Sequence, residues 1–217
     1  MATPTFPPWT LYLAEGTCAQ AVHIALIDAG AEHQLRSVDF AAGEQRGAAY
    51  LAVNPRGRVP ALVTHRGTLT EVPALLLFIA QSFPAARLAP WDDPFQLARL
   101  QEFNSYLCAT VHVAHAHKRR GARWADDAAA HEAMRRKVPA NMAECCARIE
   151  TEWLHDGPWV MGADYTIADP YLFTLAEWLE GDEVDPSAFP RLLAHRTRMQ
   201  ARASVRAAKA AMAALAG

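Results

Sequence analysis

Two domains of different architecture are predicted for this chain of 217 residues: an α/β domain of order βαβ then ββα over residues 1–86, and an all-α helical domain over residues 94–217. Three observations predict it. A short β-prone run, a turn and an amphipathic helix follow one another at Thr10 to Gly30. A turn-forming run at Asn54 to Pro60 feeds two short strand-forming runs joined by His65, Arg66 and Gly67. After Pro84, Pro90 and Pro94 the strand signals stop, and what remains has helical spacing.

Taken in order, Thr10 to Leu13 is the first strand, and the chain passes through Ala14, Glu15 and Gly16 to Thr17, where a helix can be capped. Ala21, His23, Ile24, Ala25 and Ile27 carry that helix to Gly30, a residue suited to the left-handed conformation that ends helices. His33 to Phe40 alternates as a second strand. Gly43 to Asn54 reads as a loop with a short helix, and Ala61 to Thr64 as a third strand. Gly67 supplies the positive φ of a tight hairpin, so Thr68 to Thr70 pairs back as the fourth strand. Pro73 then fits the first turn of a helix, with Leu76, Ile79 and Ala80 facing inward. In the second domain, Gly121, Gly157 to Gly162 and Gly181 to Pro190 mark helix boundaries, and the alanine-rich stretch from Ala201 forms a final helix.

Composition bounds the function. With 52% hydrophobic residues the chain can bury a substantial core, and a formal charge of −2 implies no general attraction to nucleic acid or an anionic membrane. No apolar stretch approaches the ~20 residues that a bilayer span requires. The proline-rich start, Met1 to Trp9, has no signal-peptide pattern, so the cytoplasm is the expected compartment. Cys18, Cys108, Cys145 and Cys146 are expected to be reduced, since the adjacent pair suits one side of a helix better than a bridge.

Chemistry concentrates at element junctions. Cys18 lies between the first strand and its helix, where backbone N–H groups and the helix dipole favour a thiolate. Thr17 beside it offers a hydroxyl for the same role, or acts as a plain N-cap. Val59 and Pro60 stand between a turn and a strand; a cis bond there would leave the Val59 backbone free to pair with a peptide-like ligand. Glu71, where the fourth strand becomes a helix, can accept from a cationic amine while the helix N–H groups receive a carboxylate. His112, His115 and His117 are spaced so that the third turns away from the first two, and no acidic residue stands at i+4, so no metal site is expected. Thr166 and Asp169 read as a capping box, and Trp124, Trp153, Trp159 and Trp178 mostly as core or interdomain packing residues, one of which can face a substrate pocket.

Together these segments resemble the glutathione transferase superfamily, in particular its bacterial beta class. The run LYLAEGTCAQAVHIAL at Leu11 to Leu26 is similar to the beta-class first strand and helix, with Cys18 and His23 at its characteristic cysteine and histidine. NPRGRVPAL at Asn54 to Leu62 is similar to the segment that carries the cis proline, here Pro60, and LTE at Leu69 to Glu71 resembles the next landmark. SYLCATVHVAH at Ser105 to His115 resembles the helix that brings a histidine, here His112, near the glutathione thiol, and GADYTIADPYLF at Gly162 to Phe173 the capping motif of the helical domain.

The resemblance implies a thioredoxin-like first domain that holds glutathione through Val59, Pro60, Glu71 and Val72, with Ser105 contributing a polar contact from the second. It implies a pocket for an apolar electrophile in the helical domain, and a homodimer. Three departures stand out, the mildest being Ser105, which stands where the class often has asparagine and keeps a polar contact. Val72 replaces the serine that usually follows the acidic residue, leaving its backbone N–H as the donor to the γ-glutamyl carboxylate, and no lysine lies among Ala41 to Arg46, where Arg46 is the nearest cation. Three chemistries fit: glutathione activated as a thiolate for conjugation, with a glutathione-dependent isomerase or dehalogenase as a variant; disulfide exchange through Cys18 as a thiol transferase; or ligand binding without catalysis.

Overall fold

The computed structural model describes residues 8–216. The proline-rich start up to Pro7 lies outside the described residues. Two compact units are present: residues up to Leu88 together with those from Arg202 on, and Ala89–Ala201.

The first unit is built on a four-stranded sheet of order β2-β1-β3-β4. Strand β1 (Trp9–Leu13) pairs parallel with β2 (His33–Ser37) and antiparallel with β3 (Ala61–Thr64), which pairs antiparallel with β4 (Gly67–Thr70). Leu11, Leu13, Ala61 and Leu62 are buried against α1 (Ala19–Asp28) and α3 (Val72–Ser82), whose inward residues include Val22, Leu26, Leu76 and Ile79. This burial is the main drive for the domain, because each side chain of this size withdrawn from water contributes about 1.5–3 kcal/mol.

The second strand ends at Ser37, three residues before the sequence pattern does. Val38 N–H still bonds the Leu13 carbonyl at 2.8 Å, but the Asp39 carboxylate accepts from Ala41 N–H and Ala42 N–H at 2.8 and 2.9 Å and turns the chain out of the sheet. The loop beyond holds a 3₁₀ turn at Glu44–Arg46 and helix α2 (Ala48–Val53). The hairpin forms as expected, with Thr64 Oγ1 donating to the Gly67 carbonyl at 2.9 Å and Gly67 at φ 130°.

The last helix, α9 (Ala203–Ala216), packs on α1 in the first unit, with Arg202 held to Asp28 at 2.9 Å. The sequence pattern placed this segment with the helical domain. A helix with alanine on most faces carries no signal of which apolar partner it covers, so its assignment follows from contact alone.

The second unit is helical. Helix α4 (Pro94–Tyr106) is capped by Asp93, whose carboxylate accepts from Phe95 and Gln96 N–H at 2.9 and 3.1 Å, and it continues through a π-helical turn, Leu107–Val111, into α5 (His112–Ala116). Helix α6 (Ala128–Glu152) starts under the equivalent cap of Asp127. Helix α7 (Ala168–Ala176) is buried along its whole length, and α8 (Pro190–Gln200) begins on the Glu150 carboxylate, which accepts Arg191 and Leu192 N–H at 2.8 and 2.9 Å. Phe103, Leu107, Met142, Ile149, Phe173 and Met199 form the core of this unit. No helix among the described residues is long and apolar enough to cross a membrane.

Candidate functional site

The sheet register explains why distant residues gather. Tyr12 pairs with Ala61 and Ala61 with Thr70, so the end of β1, the start of β3 and the end of β4 share one end of the sheet. The residues just beyond those ends are Thr17 and Cys18, Val59 and Pro60, and Glu71 and Val72. Six of the sequence-predicted site residues therefore collect at one edge of the first unit.

Cys18 is 7% exposed and caps α1 without a side-chain bond to the helix; its Sγ lies 3.9 Å from the Val59 carbonyl, 41 residues away. Thr17 does not cap the helix as the sequence suggests. Its hydroxyl donates instead to the Ala14 carbonyl at 2.7 Å, closing the turn that Gly16 makes at φ 68°. At the same helix start, Gln20 and Ala21 N–H close tight bonds on the Thr17 and Cys18 carbonyls at 3.2 Å, so the capacity to bind an anion rests on the residues before Gln20.

The Val59–Pro60 peptide bond is cis. The turn that leads into it is fastened at several points. Gly57 N–H bonds the Asn54 carbonyl at 3.0 Å, buried Asn54 donates through Nδ2 to the Arg58 carbonyl at 2.6 Å, and Tyr50 donates to the same carbonyl at 2.6 Å. Burial holds the Tyr50 phenol above its ordinary pKa, so it stays a donor. Gly57 has φ 60°, and a Cβ there would sit 2.8 Å from the Gln45 carbonyl, which explains why glycine closes this turn.

Glu71 is exposed and has φ 71° and ψ 117°, a conformation that side-chain-bearing residues rarely adopt. Such strain costs about 1–3 kcal/mol and clusters at functional positions. It turns the chain sharply from β4 into α3, so that the carboxylate stands at the helix start beside Val72, which is 5% exposed. Arg56 reaches across from the Asn54 turn to the Thr70 hydroxyl at 2.8 Å and ties the two loops together.

Ser105 and His112 belong to the second unit. Ser105 is exposed on α4, and His112 begins α5 immediately after the π-helical turn. The ring of His112 meets Trp178 edge-on at 5.1 Å, and His115 stacks flat on the same indole at 4.2 Å. His115 also has an acidic partner that sequence spacing does not show: its Nδ1 lies 2.6 Å from Oδ2 of Asp182, which is 1% exposed. His117 turns away, as its spacing predicts, and meets Trp124, which is 45% exposed and so is not the packing residue expected. No group of three or more metal-ligating side chains occurs among the described residues.

Burial makes two of the other cysteines poor nucleophiles. Cys145 and Cys146 are buried on α6, no disulfide joins any of the four, and burial beside Cys145 pushes the Cys146 thiol up to about 12. Cys108 is half-buried within the π-helical turn.

A mixed four-stranded sheet with helices α1 and α3 packed on it, a cis proline ahead of β3 and a separate helical unit define a thioredoxin-like domain joined to an all-α one. The glutathione S-transferase N-terminal domain family matches residues 16–82. Glutathione S-transferase GstA of Escherichia coli O157:H7 is 30% identical over 203 residues, which cover 93% of this chain and 97% of that protein. A glutathione transferase homologue from Sulfitobacter, solved with bound glutathione, superposes with a TM-score of 0.91 at 45% identity over 94% of this chain and 98% of that one. A beta-class glutathione S-transferase from Sphingomonas chungbukensis gives 0.81 at 34% identity, with 94% and 98% covered. The chain belongs to the glutathione S-transferase family.

Proposed function

We propose that this protein is a glutathione transferase that binds glutathione at the sheet end formed by Cys18, Val59 to Pro60 and Glu71 to Val72, and activates it as a thiolate for attack on an apolar electrophile. The gathering of those residues by the β1-β3-β4 register is the observation that carries the reading. The Val59 backbone pairs with the cysteinyl part of the tripeptide, the Glu71 carboxylate receives its ammonium, and Val72 N–H at the start of α3 receives the γ-glutamyl carboxylate. Ser105 supplies a polar contact and His112 acts at the sulfur from the helical domain, the roles the family resemblance gives them.

Between Thr17 and Cys18, the hydrogen bonds favour Cys18. A carbonyl only accepts, so the single hydroxyl proton of Thr17 is committed to Ala14 at 2.7 Å, whereas the Cys18 thiol stands at the helix start, 3.9 Å from the Val59 carbonyl. Cys18 therefore donates to the glutathione sulfur. The S–H bond of glutathione breaks, its proton leaves to solvent, the electron pair stays on sulfur and displaces the leaving group of the electrophile.

Replacing Cys18 by alanine tests this assignment. Conjugation of a chloroaromatic substrate is expected to fall about tenfold to a hundredfold at saturating glutathione. Retained conjugation together with lost disulfide exchange would make Cys18 a redox nucleophile and the protein a thiol transferase.

Val72 gives a second expectation. A serine there restores a hydroxyl donor to the carboxylate, worth about 1.5–3 kcal/mol, so Val72→Ser is expected to tighten glutathione about tenfold to a hundredfold in a calorimetric titration. The loss of buried methyl groups at this 5%-exposed position lowers stability at the same time. Unchanged affinity would mean that the carboxylate binds elsewhere. A homodimer and a cytoplasmic location complete the proposal; sedimentation mass checks the first and cell fractionation the second.

A further inference from the structure

The helical unit contains a cross-brace that the family resemblance does not assign. His112 and His115 stand one turn apart on α5, and Trp178 and Asp182 stand one turn apart on the segment after α7, where Asp182 N–H bonds the Trp178 carbonyl at 2.9 Å. Each histidine meets one side of the same indole: His112 edge-on at 5.1 Å and 62°, His115 stacked at 4.2 Å and 25°. Asp182, 1% exposed, grips His115 Nδ1 at 2.6 Å, and its other oxygen faces Lys118 Nζ at 3.9 Å.

A buried carboxylate in that position fixes both the tautomer and the plane of His115, since Nδ1–H must donate to it. A ring held in its plane holds the indole stacked against it, and the indole in turn limits the rotation of the ring it meets edge-on.

We propose that His115, clamped by Asp182, is a positioning residue for His112 and acts on it through Trp178. The inference rests on the role given to His112 above. Its physical basis is that a reacting group displaced by an ångström loses a large share of its effectiveness, so an imidazole near solvent gains from a fixed neighbour.

The test compares His115→Ala, His115→Phe, His112→Ala and the double variant His112→Ala/His115→Ala. At saturating glutathione, His115→Ala is expected to lower kcat about tenfold with KM for glutathione within about twofold, because orientation and not binding is lost. His115→Phe, which restores the ring on Trp178 but not the bond to Asp182, is expected to recover only part of that loss. The double variant is expected to be no slower than His112→Ala alone, since the brace has nothing left to position. The His112 imidazole NMR signals, read without glutathione, are expected to broaden or shift in His115→Ala and return in part in His115→Phe. That readout tests the brace even in a chain that binds no tripeptide, whereas failure of the proposed function would show as absent glutathione binding with the NMR response intact. If alanine at 115 prevents folding, His115→Leu fills the volume without a ring and takes its place. Unchanged His112 signals, a phenylalanine variant as slow as the alanine one, or losses that multiply in the double variant would overturn the proposal.

Discussion

Replacing Asp169 by alanine is expected to destabilise the helical unit by about 3–5 kcal/mol, more than any other single substitution considered. Asp169 is fully buried and its carboxylate holds four groups. Oδ2 accepts Thr166 N–H at 2.8 Å and the Thr166 hydroxyl at 3.4 Å; Oδ1 accepts Val160 N–H at 2.9 Å and faces His195 Nε2 at 3.0 Å. Thr166 returns the favour by accepting Ala168 N–H at 3.3 Å, which completes a reciprocal cap on α7. Removing the carboxylate leaves two backbone N–H groups and a 1%-exposed imidazole without their partner in a region closed to water. Urea unfolding reads the loss directly, and the thermal midpoint should drop by about 10 °C. Asp169→Asn, which keeps one acceptor oxygen, should lose less. A change below about 1 kcal/mol in the alanine variant would mean that the network relaxes onto other partners.

Acid should weaken the first unit through one histidine. His23 is 2% exposed on α1, its Nδ1 has no hydrogen-bond partner, and His33 stands edge-on at 5.2 Å. Burial, with His33 adding to it, lowers its pKa from 6.5 to about 4. Between those values the unfolded chain binds a proton that the folded chain refuses, so stability falls as pH drops from 6.5 towards 4, by up to about 3 kcal/mol. Above pH 6.5 the ring is neutral in both states and contributes nothing to the slope. Comparing urea midpoints at pH 7.5 and 4.5, wild type should lose about 2–3 kcal/mol more than His23→Leu, whose apolar side chain has no proton to take up. Equal losses in the two proteins would show that His23 is protonated without cost.

What the sequence made legible follows from how local each signal is. The strand, turn and helix order of the first unit could be read from short-range chemistry: Gly16 and Gly67 at their turns, Pro73 at the start of α3, and the Asn54 to Gly57 turn ahead of Pro60. The Thr166–Asp169 cap was legible for the same reason, since its partners are three residues apart. The cis bond at Val59–Pro60 was suggested by the family resemblance and not by the dipeptide, which on its own is usually trans. Contacts over long separations stayed hidden. Nothing near His115 announces Asp182, 67 residues on, or tells that Glu150 caps α8 from α6. Thr17 shows the opposite limit: a residue of the right type at the right place spends its hydroxyl on Ala14, whose carbonyl the turn through Gly16 brings to 2.7 Å.

Titration of glutathione into the intact protein by calorimetry tests most directly the proposed glutathione site at the sheet end bearing Cys18, Val59 and Glu71. The prediction is a saturable heat at one tripeptide per chain that disappears when Glu71 is replaced by alanine. The absence of any saturable heat at millimolar glutathione, or one undiminished in Glu71→Ala, would contradict it.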